Sequence, residues 1–348
     1  MVPIAGRAPY PTGLALASRF CSPATDRLHC LVHKTLTQPL DWVSIRLAGL
    51  SVHRRAPAAQ AAEAEALVHD ASFFADFAGT PTDWRFTHRR NFQFTSAVRS
   101  PWTRNNTVHG RFYPVSRDWT ARPTVVLLHG WNAELGYRTL FPFLARRLNA
   151  AGLNAVMFEL PYHSQRKPRG RGAPNNFISN NLLHVASAAH QALADARALI
   201  AWLNAQGCRR IGVWGISLGG WLAGLLACHE PRLSAAVLMT PVARMDRVIH
   251  ELDFCAPLRR SLGGRAVRLE PLNLISHRPR VPVANVLIIA SEHDLFAPID
   301  SLEELWQAWG QPVLWRPRHG HISAMMAAPL LEQTVQWVER HLETGCGC

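Results

Sequence analysis

The stretch "RIGVWGISLGGWLAGLLACH", Arg210 to His229, decides how this chain is read. Its start, Arg210 to Trp214, is a short, largely apolar run of the kind that makes a strand buried on both faces. Its end, Ser217 to His229, reads as a helix. Between them lies Gly215-Ile216-Ser217-Leu218-Gly219, a G-x-S-x-G sequence. A strand that turns sharply into a helix brings its own backbone close to itself, and glycine offers no side chain to obstruct the approach. The serine at the apex is then held in a strained conformation with its hydroxyl above the sheet. The first amides of the helix point toward the same spot.

Strand and helix alternate on both sides of this stretch. Apolar runs recur at Thr124–Leu128, Asn154–Leu160, Ser234–Met239 and Ala284–Ala290, with a shorter one at Pro312–Trp315. Helical stretches lie between and after them, at Tyr137–Ala151, Asn181–Ala205, Ser301–Trp309 and Ala324–His341. That alternation predicts a mostly parallel, doubly wound α/β sheet with helices on both faces. Earlier, Trp84–Val98 alternates aromatic and polar residues as a half-buried strand does, and Val108–Val115 reads as its antiparallel neighbour. Residues 1–80 carry no strand pattern. Ala58–Phe77 reads as a helix, Trp42–Leu50 has some helical periodicity, and the segment is expected to be a mainly helical extension. The domain proper is expected over 81–348, with cap segments at 161–180 and 243–282, which are longer than simple connections need.

A serine hydroxyl becomes a useful nucleophile only beside a base that is itself oriented by an acid. In a doubly wound sheet these partners belong at the C-terminal ends of later strands. "SEHDLFAP" follows Ala290 and brings Asp294; "RPRHGHIS" follows Trp315 and brings His319 and His321. Asp294 is preferred over Glu292, which is close to the strand end, and over Asp300, which resembles the N-cap of a helix starting near Ser301. Upstream, "VVLLHGWN" ends its strand at His129-Gly130, so the amide of Trp131 can face the same point as the amide of Leu218. Together they would form an oxyanion hole.

In this combination, "LLHGW", "GISLGG", "ASEHDLFAP" and "RHGHIS" resemble the α/β-hydrolase superfamily from about Trp84 to the end of the chain. "ELPYHSQRKP" and "HGHISAMM" are similar to an esterase- or lipase-like branch. The resemblance implies the α/β-hydrolase fold, with antiparallel strands at the N-terminal edge and a small cap. It implies a Ser217–His321–Asp294 triad, His321 being favoured over His319 because it follows Gly320 and leads into the last helix. It also implies that His129 shapes its loop rather than acting as a base. The expected activity is hydrolysis of a small-molecule or lipid carboxylic ester through an acyl-enzyme, with no cofactor. The same triad also serves peptidases and acyltransferases, and a non-catalytic binding protein on this fold is the rival of another class.

Tyr162, His163 and Arg166 are candidate substrate contacts, because "PYHSQRK" follows a strand at the sheet edge where ligands bind, and His129, at the end of the strand Thr124–Leu128, is a further candidate. Read blandly, that segment is a solvated basic loop. Met325, Met326 and Phe254 read as packing residues. No metal is expected: His319 and His321 have no carboxylate or cysteine at ligand spacing beside them. The 348 residues carry a formal charge of +13, almost all of it from arginine, since lysine occurs only at Lys34 and Lys167. The arginines are scattered and no nucleic-acid module is visible, so nucleic acid is not the expected partner. Peripheral membrane contact through arginines and a hydrophobic cap is compatible with this charge; the oligomeric state is not readable. Seven cysteines with no metal or disulfide spacing favour a reducing compartment, and a cytoplasmic location is expected. The first twenty residues hold only a short apolar stretch behind Pro3, Arg7, Pro9 and Pro11, a poor signal peptide.

Overall fold

The computed structural model describes residues 34–47, 60–75, 79–174 and 176–343. The expectations about the first twenty residues and about Cys21, Cys30, Cys346 and Cys348 lie outside them.

Two helices lead in, α1 (34–47) and α2 (Ala61–His69), the second followed by a 3-10 turn at Ala71–Phe74. The expected strand at Trp84–Val98 is two strands, β1 (Arg85–His88) and β2 (Asn91–Thr95), joined by a hairpin whose Arg89 has φ 30°. The even alternation of "RFTHRRNFQF" hides the break, because the turn falls on two arginines that suit an exposed strand as well as a turn. β3 (Thr107–Tyr113), β4 (Thr124–Leu128), α3 (Glu134–Arg138), α4 (Leu140–Ala150) and β5 (Asn154–Phe158) follow. Next come α5 (Leu182–Ala205), β6 (Ile211–Ile216), α6 (Leu218–His229) and β7 (Leu233–Met239). A helical excursion, α7 (Met245–Glu251) and α8 (Ala256–Leu262), precedes β8 (Val286–Ile289), α9 (Ile299–Ala308) and β9 (Val313–Trp315). The chain closes with α10 (His321–Met326) and α11 (Ala328–Glu343).

The nine strands form one sheet in the order β1-β2-β3-β5-β4-β6-β7-β8-β9. β1, β2 and β3 pair antiparallel, as do β3 and β5, and from β5 onward every pair is parallel. The period-2 geometry of a strand sends neighbouring side chains to opposite faces. Val126, Leu128 and Val213 therefore join a core with α2, α5 and α6, whereas Val125, Leu127 and Trp214 join a second core with α4 and α11. The antiparallel edge is anchored to α5 by rings: Trp84 stacks on Trp202 with centroids 3.9 Å apart, and on Phe92 at 4.2 Å. α5 has 24 residues, yet among the described residues no helix is long and apolar enough to cross a membrane.

A charged pair, Arg166 and Asp195, is fully enclosed. The Arg166 guanidinium lies 2.8 Å from a carboxylate oxygen of Asp195, with neither side chain exposed. It also donates to the carbonyl oxygens of Asn105, at 2.9 and 2.7 Å, and of Glu159, at 3.0 Å. Burial raises the Asp195 pKa and the arginine opposes that rise. Asp195→Ala would leave the guanidinium buried without a counter-charge, at a cost of about 3–5 kcal/mol. Urea unfolding should show this as a lower midpoint with an unchanged slope.

Candidate active site

The turn after β6 has the sterics its glycines imply. A Cβ on Gly215 would stand 1.9 Å from the Gly219 carbonyl oxygen, and one on Gly219 would stand 2.1 Å from the Leu128 carbonyl oxygen. β6 runs beside β4, so the first turn of α6 passes over the end of β4 at backbone contact distance. Ser217 takes φ 57°, ψ −118°, a conformation that L-residues rarely adopt. Its amide donates to the Met239 carbonyl oxygen of β7 at 2.9 Å, which fixes the apex against the neighbouring strand.

His321, the first residue of α10, approaches from the loop after β9. Its Nε2 lies 2.8 Å from Ser217 Oγ and its Nδ1 lies 2.7 Å from Asp294 Oδ2. A carboxylate only accepts, so Nδ1 carries the proton and Nε2 presents its lone pair to the serine hydroxyl. The other oxygen of Asp294 accepts from the amides of Phe296 and Ala297, both at 2.8 Å, which locks the carboxylate's orientation. Burial alone would lower the pKa of His321. The charge and hydrogen bond of Asp294, joined by the charge of Asp41, outweigh it, and the net shift is upward. Glu292 and Asp300, the alternative acids of this loop, are engaged elsewhere. Glu292 faces Arg318 at 3.8 Å, and Asp300 pairs with Arg247 at 2.9 Å. Asp300 is not an N-cap: α9 starts one residue earlier, after Pro298.

Two apolar hollows meet at Ser217. The narrower, about 90 Å3, lies beneath α7 and α8 and is walled by Ile249, Leu252, Phe254, Leu258 and Leu272 from 243–282 and by Ile178 from 161–180. The wider, about 800 Å3, opens between α3, α4, α10 and α1, with Leu135, Phe143, Met325 and Met326 in its walls. Trp131, Ser217 and Phe296 border both. Phe254, Met325 and Met326, read above as packing residues, thus face open space. Nothing in a one-dimensional pattern separates an apolar residue that fills a core from one that walls a hollow. Cys255 borders the narrow hollow, but burial pushes its thiol up to about 12, so the nucleophilic thiolate is scarce at neutral pH.

His129, Tyr162, His163 and Arg166 border neither hollow. The expectation that they contact substrate is corrected by their burial. His129 Nδ1 donates to the Gly130 carbonyl oxygen at 2.8 Å, and its Nε2 accepts from the Leu160 amide at 3.0 Å. Burial, helped by His163, lowers its pKa to about 3, so it stays neutral and braces the loop that carries Trp131. His163 Nδ1 meets the Pro161 carbonyl oxygen at 2.9 Å, and burial brings its pKa to about 4. Tyr162 is buried against His184, with ring centroids 4.4 Å apart. Arg166 is committed to Asp195. The basic loop that these residues suggest is therefore largely folded inward.

The sequence profile of the α/β hydrolase family matches residues 125–340, and the chain belongs to that family. Among relatives of known sequence, the uncharacterized protein Rv2627c of Mycobacterium tuberculosis is 32% identical over 228 residues, which cover 60% of this chain and 52% of that one. The chain thus spans about half the length of that relative. A putative carboxymethylenebutenolidase of Yersinia pestis is 26% identical over 212 residues, 55% of this chain and 76% of its own. Among solved structures, the Pyrococcus furiosus esterase Pf2001 superposes with a TM-score of 0.52 at 16% identity, covering 75% of this chain and 92% of that one. At that identity the likeness concerns the fold.

Proposed function

We propose that this protein is a serine hydrolase that cleaves carboxylic esters with an apolar acyl group. The observation that carries the reading is the hydrogen-bonded line from Ser217 Oγ through His321 to Asp294 at the junction of two apolar hollows. Ser217 passes its proton to His321 Nε2 as Oγ bonds to the ester carbonyl carbon. The carbonyl oxygen becomes an oxyanion that the amides of Trp131 and Leu218 receive; the first amides of a helix have no acceptor within the helix, so the Leu218 amide suits this role. Collapse of the tetrahedral intermediate breaks the ester C–O bond, and His321 returns the proton to the leaving alcohol. Water then attacks the acyl-enzyme with His321 again as base, which releases the acid and restores Ser217. Asp294 keeps the Nδ1 tautomer and stabilises the imidazolium formed in each half-reaction.

The narrow hollow suits the acyl chain and the wider groove suits the leaving alcohol. The test is a series of p-nitrophenyl esters of rising acyl length. Each methylene that enters an apolar wall contributes about 0.8 kcal/mol, roughly fourfold in kcat/KM, until the hollow is full. A climb followed by a sharp fall is the expected profile. A flat profile would show that the hollow does not take the acyl chain, and absence of both turnover and fluorophosphonate labelling would end the serine-hydrolase reading.

A further inference from the structure

α1 lies outside the matched family region, yet it reaches the centre of the site. Its residue Asp41 is fully buried. One carboxylate oxygen accepts from the His321 amide at 2.7 Å and from the Leu295 amide at 3.3 Å, and the other accepts from the Ile322 amide at 2.9 Å. Leu295 directly follows Asp294. A single carboxylate thus joins the loop that carries the acid to the turn that carries the histidine. Gly320 is shaped around the same group: its φ of −85° suits any residue, but a Cβ there would come within 2.8 Å of an Asp41 oxygen. One and nearly two turns further along α1, Ser44 and Leu47 border the wider groove beside Ser217.

We infer that Asp41 is a positioning residue of the hydrolytic site, fastening the Asp294 loop to the His321 turn and holding a negative charge beside the imidazole, so that the N-terminal helix completes the site instead of merely preceding it. This inference rests on the serine-hydrolase reading for its effect on catalysis. Two physical consequences follow. First, charge-assisted bonds to three amides fix the relative placement of Asp294 and His321, and a displacement of about 1 Å at reacting groups costs on the order of 10²-fold in rate. Second, among the described residues the His321 ring bonds to Asp294 from the loop after β8 and to the Ser217 hydroxyl and packs on the Phe296 ring, while Asp41 from α1, bonded to the His321 backbone amide, adds its charge nearby. Asp294 and Asp41 are the two that bring charge. Removing the charge of Asp41 takes away support for the imidazolium, so the pKa of His321 falls and the acid limb of the rate profile moves to lower pH.

The test compares wild type, Asp41→Asn and Gly320→Ala, with Gly320→Ala displacing the carboxylate while leaving its charge. Two readouts are followed: the labelling rate of Ser217 by a fluorophosphonate and the titration of the His321 ring by 15N NMR. Both variants should label about 10–100-fold more slowly. Asp41→Asn alone should also move the His321 midpoint to lower pH, a change that a loss of packing by itself does not produce. Folded variants with wild-type labelling and an unmoved His321 midpoint would overturn the inference. Should Asp41→Asn fail to fold, Gly320→Ala carries the decision through the labelling rate. Should the wild type fail to label, the serine-hydrolase reading falls, and the His321 midpoint of Asp41→Asn then decides separately whether Asp41 holds the histidine.

Discussion

Ser217→Ala should lower kcat/KM for p-nitrophenyl esters by at least about 10³ while leaving the thermal midpoint within the scatter of surface mutants. Alanine keeps the Cβ and the backbone of the turn, so the bond from the Ser217 amide to Met239 and the packing of α6 survive. Only Oγ is lost, and with it the atom that lies 2.8 Å from His321 Nε2. The amides of Trp131 and Leu218 and the apolar walls remain, and on the proposed mechanism they leave a residual rate above that in water. The comparison needs steady-state kinetics and a melting curve on the same preparation. Equal activity in both proteins would remove Ser217 as the nucleophile for these substrates. Loss of activity together with a large fall in the midpoint would point to misfolding instead, and the labelling stoichiometry of wild type would then decide.

Gly219→Ala is the second large effect, and its target is the fold. The new Cβ would stand 2.1 Å from the Leu128 carbonyl oxygen, 2.5 Å from its carbon and 2.7 Å from the His129 oxygen. All three atoms are backbone at the end of a central strand, and none can turn aside as a side-chain tip would. Ordinary overpacking costs about 1–3 kcal/mol because side chains adjust. Here α6 or β4 must move, so a loss above about 4 kcal/mol is expected, near the limit of marginal stability. Gly136→Ala is the control: its Cβ would meet nothing nearer than 3.9 Å, and the substitution should be neutral or stabilising by about 0.4–1 kcal/mol. Urea midpoints of the two variants make the comparison. Similar midpoints would mean that the elbow is loose enough to absorb a methyl group, contrary to the close approach of its strands.

How much of this was legible in the chain depended on the range of the interaction involved. The strand–elbow–helix unit is local: apolar runs, two glycines and the onset of helical periodicity lie within twenty residues, and sterics between neighbouring backbone units fix the rest. The order Ser217, Asp294, His321 was legible for a related reason, since a parallel sheet delivers the ends of successive strands to one edge. The split at Thr139 between α3 and α4 and the hairpin within Trp84–Val98 were not legible, because the residues there suit both alternatives.

The sequence by itself determined a doubly wound sheet, the strained serine at its centre and the acid and histidine opposite it. Periodicity, turn sterics and strand order are properties of short segments and of their succession. Tertiary structure alone decided that Arg166 and His163 turn inward, that Met325 and Phe254 border open space, and that Asp41 holds the loops of Asp294 and His321. Each of these depends on which distant backbone or charge comes to lie beside the side chain. Asp41 is the one acid in a helix of mixed polar and apolar residues; only the docking of that helix against the ends of β8 and β9 gives its carboxylate three amides to hold.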